Sequence, residues 1–141
     1  MKDIKAADLT VSDLKKHVGF WLRFVSNHVS HAFARKLSTS GVTVAEWVVM
    51  REMFDDQETS PGLLAERIGM TRGGVSKLLD RLVSKRLVTR RDRSDDRRFQ
   101  SIALTAAGRR LIPQLAELAD QNDDEFFDPL SAAERNALIS T

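Results

Sequence analysis

A mainly α domain with one small β-wing is the fold this sequence predicts, and three observations predict it. The segments flanking the middle of the chain carry apolar residues at three- and four-residue steps. Between them, two short capped helices meet at a glycine. Two strand-like runs then enclose a charged tip, and a further capped helix follows.

The first helix is expected over about residues 12–37, with Val18, Trp21, Val25, Val29, Ala32 and Phe33 on one face and Phe20 and Phe24 widening it. Ser40-Gly41 closes the connection, and a second helix, Val44 to Phe54, carries Trp47, Val48, Met50 and Met53. Ser60-Pro61 opens a short third helix: serine caps, and proline fits where no backbone N–H is needed. Gly69 ends it. Thr71 caps a fourth helix running to about Lys85, with Val75, Leu78, Leu79, Leu82 and Val83 as its apolar stripe. Arg72, Gly73, Ser76, Lys77 and Arg81 fall on its other face. Leu87–Asp92 and Phe99–Leu104 are the expected strands, joined by Arg93-Ser94-Asp95-Asp96-Arg97-Arg98. Thr105 caps the next helix, in which Pro113 should bend or break the run. Ser131-Ala132-Ala133-Glu134 is a capping box for a short last helix.

Charge singles out the fourth helix and the wing. Residues 71–98 hold 10 of the 22 Lys/Arg and 4 of the 20 Asp/Glu, a net of +6, and the rest of the chain nets −4. Such asymmetry on a docking helix and a β-wing is the footprint of a domain that reads duplex DNA. The competing interpretation of any charged run is a solvated face. Arg or Lys in the first turns of the fourth helix would favour guanine O6 and N7, whereas Arg81 and Lys85 are better placed for phosphates.

Several function classes are excluded or disfavoured. There is no Gly-x-Ser-x-Gly elbow, phosphate loop or His-Glu-x-x-His, so no catalytic residue or cofactor is expected. With no cysteine there is no disulfide, thiolate metal site or cysteine-based peroxide switch. His28 and His31 are three apart on the first helix but lack flanking acidic ligands, so no metal site is assigned. No apolar run approaches the ~18 residues that span a bilayer. A cytoplasmic protein is expected, with no membrane partner.

Taken in order, Val42-Thr43-Val44-Ala45-Glu46-Trp47, Leu64 to Thr71, Val75 to Leu82, Asp96-Arg97-Arg98 and Leu104-Thr105-Ala106-Ala107-Gly108 resemble the MarR family of winged helix-turn-helix regulators. The resemblance implies one domain over 1–141. It would have a DNA-binding lobe at about 42–110 and dimerisation helices at about 10–40 and 110–141. It implies a homodimer on a palindromic operator in double-stranded DNA, acting as a ligand-responsive repressor. Thr71, Arg72, Gly73, Ser76, Lys77 and Arg81 would face DNA. Arg98 matches the wing arginine that reaches the minor groove, with Asp96 orienting it and Arg93 and Arg97 beside phosphates. A small aromatic or phenolic effector is implied between the dimer helices and the DNA lobe, with Trp21, Phe24, His28, Trp47 and Arg51 as lining residues. Each ring has core packing as its other role. The alternative to the regulator is a winged-helix module for protein–protein assembly, against which the basic fourth helix argues.

Two features depart from the family pattern. Arg86 stands where a glycine usually closes the recognition helix, and a non-glycine residue in a left-handed cap costs roughly 1–2 kcal/mol. Gly73-Gly74 lies inside that helix, at about 1 kcal/mol per Gly against Ala. Close approach of backbone to DNA explains the pair, and so does a helix that orders fully only when bound.

Overall fold

The computed structural model describes residues 10–92 and 100–141. The helices are α1 (Val18–Leu37), α2 (Val44–Met53), α3 (Pro61–Ile68), α4 (Arg72–Ser84), α5 (Ala106–Phe127) and α6 (Ala132–Ser140). Strands β1 (Val88–Asp92) and β2 (Gln100–Leu104) pair antiparallel, with Val88 opposite Leu104 and Asp92 opposite Gln100. The outer edge of β2 is also used. Thr59 exchanges two backbone hydrogen bonds with Ile102, at 3.0 and 2.9 Å, which ties the loop before α3 to the wing.

The core forms where the C-terminal end of α1 and the apolar faces of α2, α3, α4 and α5 meet the inner side of the sheet. Leu37, Met50, Met53, Leu64, Leu79, Leu82, Ile102, Ile112 and Leu115 are all fully buried there. A second, polar clasp joins α1 to α5: Asn122 donates to the Val29 carbonyl at 3.1 Å, and Lys36 donates to Asn122 at 3.0 Å and Glu125 at 2.8 Å. Buried amides of this kind are retained where both hydrogen-bonding ends are satisfied.

α1 contributes only Ala32, Phe33 and Leu37 to the buried set. Towards its start, Val18, Trp21, Leu22, Phe24 and Val25 stay exposed, as do Leu138 and Ile139 on α6. Most of the rings of α1 therefore lie outside the core. Among the described residues, no helix is long and apolar enough to cross a membrane.

The structure departs from the sequence expectation at four places. α1 begins at Val18 because Leu14–Lys16 form a separate 3-10 turn and His17 is extended; the Trp21 indole donates to the Lys15 carbonyl at 2.8 Å and pins that turn. α2 stops at Met53, one residue short of Phe54. β1 starts at Val88, since Arg86 adopts the left-handed conformation with φ 61°. The cost of that conformation is shared by its surroundings: Leu87 N–H donates to Leu82 O, and Thr105 Oγ1 donates to the Arg86 carbonyl at 2.8 Å. Finally, Pro113 does not break α5. It sits on an exposed face, where water can satisfy the carbonyl it leaves unbonded, while Ile112 and Leu115 hold the helix to the core.

Candidate nucleic-acid interface

The helix-turn-helix is built from local capping. Ser60 Oγ accepts from Leu63 N–H at 3.2 Å, and Pro61 occupies the first turn of α3. Gly69 takes φ 71°, which lets Met70 N–H return to the Ala65 carbonyl at 3.0 Å and turn the chain sharply. Thr71 Oγ1 then accepts from Gly74 N–H at 3.0 Å and starts α4. The helix is complete through Gly73 and Gly74.

Burial of Val75, Leu78, Leu79 and Leu82 fixes the rotation of α4. With that stripe inward, Thr71, Arg72, Gly73, Lys77 and Arg81 are exposed together and Ser76 is half-buried. The remaining charge on the helix, Asp80, is engaged by Arg90 of β1 at 2.6 Å. Among the described residues, no carboxylate pairs with Arg72, Lys77 or Arg81. The helix therefore presents, among the described residues, a row of cations without a carboxylate partner, the arrangement that attracts phosphate.

Lys85 is placed differently from its sequence expectation as a phosphate contact. Its ammonium donates to both carboxylate oxygens of Glu46, at 2.8 and 2.7 Å, and to the Gly41 carbonyl at 2.7 Å. Glu46 is fully buried and completes a capping box with Thr43 at the start of α2. Burial pushes its pKa up, but hydrogen bonds from Lys85 and Thr43 and the nearby charge outweigh this and hold the carboxyl below its ordinary value. The pair thus fastens the end of α4 to the start of α2.

The sequence carries one signal for Glu46, the Thr43-x-x-Glu46 spacing of a capping box. It carries none for Arg90, whose partner lies on another element ten residues away. Arg93, Asp96, Arg97 and Arg98, like Phe99, lie outside the described residues.

Of the expected effector-lining set, Trp21, Phe24 and His28 come together on the exposed side of α1. Ring centroids are 5.8 Å apart for Trp21–Phe24 and 4.4 Å for Phe24–His28, and His28 Nδ1 donates to the Phe24 carbonyl at 2.8 Å. Trp47 instead lies in the core, edge-on to Phe33 at 6.3 Å. Arg51 is engaged by Asp55 at 3.3 Å and stacks over Phe54 at 5.6 Å. Among the described residues, no three His or acidic side chains are grouped to hold a metal ion.

Comparison with known proteins agrees with this geometry. A family model described as MarR family matches residues 40–98, the span from the second helix to the wing tip. A putative transcriptional regulatory protein for the hcr operon of Thauera aromatica is 27% identical over 134 residues, covering 94% of this chain and 81% of that protein. The solved structure of a mutant MarR from E. coli complexed with operator DNA is 26% identical, covers 92% of this chain and 95% of its own, and superposes with a TM-score of 0.80. BpsR of Bordetella bronchiseptica, whose DNA binding is regulated by 6-hydroxynicotinic acid, shares the fold at a TM-score of 0.84 with 24% identity, covering 93% of this chain and 94% of that one. By its motifs, its fold and the span of that match, the chain is similar to the MarR family of winged helix-turn-helix transcriptional regulators.

Proposed function

We propose that the chain is a sequence-specific transcriptional regulator that binds double-stranded DNA as a homodimer and represses until a small molecule releases it. The observation that carries the DNA reading is the exposed row Arg72, Lys77 and Arg81 on α4, whose rotation is fixed by four buried aliphatic residues. In this reading Thr71, Arg72, Gly73, Ser76 and Lys77 enter the major groove, and Arg81 meets phosphates. Arg93, Asp96, Arg97 and Arg98 carry the wing contact. The DNA lobe occupies about 42–110, and the flanking helices make the dimer.

The exposed apolar residues of α1 and α6 support the dimer, because so much apolar surface on a small domain calls for a partner. Trp21, Phe24 and His28 support an aromatic or phenolic anion as effector: two rings give apolar contact and an imidazole can meet an acidic group. The basic face of α4 disfavours both catalysis and protein assembly as its purpose. A cytoplasmic location accords with this role.

The test is selection of duplexes from a random pool at low and moderate salt. An enriched inverted repeat whose affinity falls steeply with salt supports the reading. Binding without sequence enrichment, or insensitive to salt, refutes it.

A further inference from the structure

Arg72 does not extend freely from the start of α4. A Cβ built on Gly62 would lie 3.1 Å from its Nη2, 3.3 Å from its Cζ and 3.4 Å from its Nε. Three such similar distances mean that the guanidinium lies broadside against the first turn of α3, close enough that a side chain at residue 62 would push it by a few tenths of an ångström. Charge does not hold it there. The first turn of α3 has no acidic residue, and a helix N-terminus is itself positive. Among the described residues Arg72 has no ion pair, and the Gly62 backbone is its close neighbour on α3.

We infer that Gly62 is a positioning residue for Arg72 and thereby helps determine which bases the recognition helix accepts. The inference rests on the DNA-binding reading above. Arginine reads guanine through two parallel hydrogen bonds, a geometry that tolerates little displacement. An alanine at 62 would force the guanidinium aside by a few tenths of an ångström. Gly62 itself touches no base in this scheme; it acts through the seat it leaves open. Alanine is also a better helix former than glycine, so the substitution should leave α3 intact or strengthen it.

The experiment uses the full chain, a duplex recovered by the parent protein from the random pool, and every single base-pair variant of that duplex. Arg72→Ala should lower discrimination at one or two base pairs by roughly tenfold or more. Gly62→Ala should lower discrimination at those same pairs by a smaller factor, with its thermal midpoint equal to or above the parent's. The double variant should discriminate no worse than Arg72→Ala alone. Losses from Gly62→Ala that are uniform over all base pairs, that add to those of Arg72→Ala, or that are missing while Arg72→Ala shows its own, would overturn the positioning role and leave the DNA reading standing. An Arg72→Ala protein with unchanged preference at every base pair would overturn the base-reading assignment and the positioning role together.

Discussion

Lys85 holds both carboxylate oxygens of Glu46, at 2.8 and 2.7 Å, across 39 residues of sequence. One end of this pair is fully buried and the other is partly open to solvent. Removing the lysine strands a carboxylate in the core, which in fully buried pairs costs about 3–5 kcal/mol. The solvent at Lys85 reduces this, and Lys85→Met should cost about 2 kcal/mol, read as a lower urea midpoint at neutral pH.

The same pair predicts a pH dependence. The Glu46 carboxyl is held below its ordinary value of 4.5, so its contribution to stability is fully present above that pH. It is lost as the pH falls through the lower folded-state value. Urea titrations from neutral to acid pH should show the parent weakening over this range. The gap between parent and Lys85→Met should close as it does, because protonation relieves the stranded charge in the variant. A gap that stays constant with pH would contradict the assignment.

Gly108 follows the wing at the start of α5, and a Cβ there would run into the backbone carbonyl of Leu87. Backbone cannot yield as a side-chain tip can. Gly108→Ala should therefore destabilise the protein by about 3 kcal/mol or more, read as a large drop in thermal midpoint.

Gly73 offers the opposite case, with nothing within 4 Å of its would-be Cβ. Gly73→Ala should stabilise the protein by up to about 1 kcal/mol. If the glycine serves close approach to DNA, the more stable variant will bind the selected duplex more weakly. If affinity rises with stability, the glycine pair instead serves a helix that orders on binding.

Arg98→Ala should weaken binding to every duplex alike and reduce the salt slope by about one. Isothermal titrations at a series of salt concentrations would measure it, and an unchanged slope would remove Arg98 from the contact set.

Leu22→Glu, on the exposed side of α1, should convert a dimer to a monomer on size-exclusion chromatography with light scattering. Retention of the dimer would place the subunit contact elsewhere.

The helix-turn-helix was legible because it is written in local chemistry: Ser60-Pro61, Gly69 and Thr71 each act within a few residues of themselves. The orientation of α4 was legible for a related reason, since Val75, Leu78, Leu79 and Leu82 define one face at helical spacing. Pairings between elements were not. Lys85 looked like one more surface cation because its partner is set by how α2 packs on α4, and the burial of Trp47 beside Phe33 was not separable in sequence from a pocket wall, because an aromatic on an apolar face has the same signature in both. At Pro113 the break, one of the two outcomes expected, does not occur, for the reverse reason. A local rule about one lost hydrogen bond was overridden by tertiary packing on either side of it.

The chain has two tryptophans and no tyrosine, and the fold puts the two indoles in opposite settings. Trp47 is buried beside Phe33, whereas Trp21 is 44% exposed in the ring group of α1. Intrinsic emission therefore separates into two independent channels. A Trp21→Phe protein reports only the melting of the core. A Trp47→Phe protein reports from the α1 face, so the proposed subunit exchange and effector capture there can be tested optically without attaching a dye.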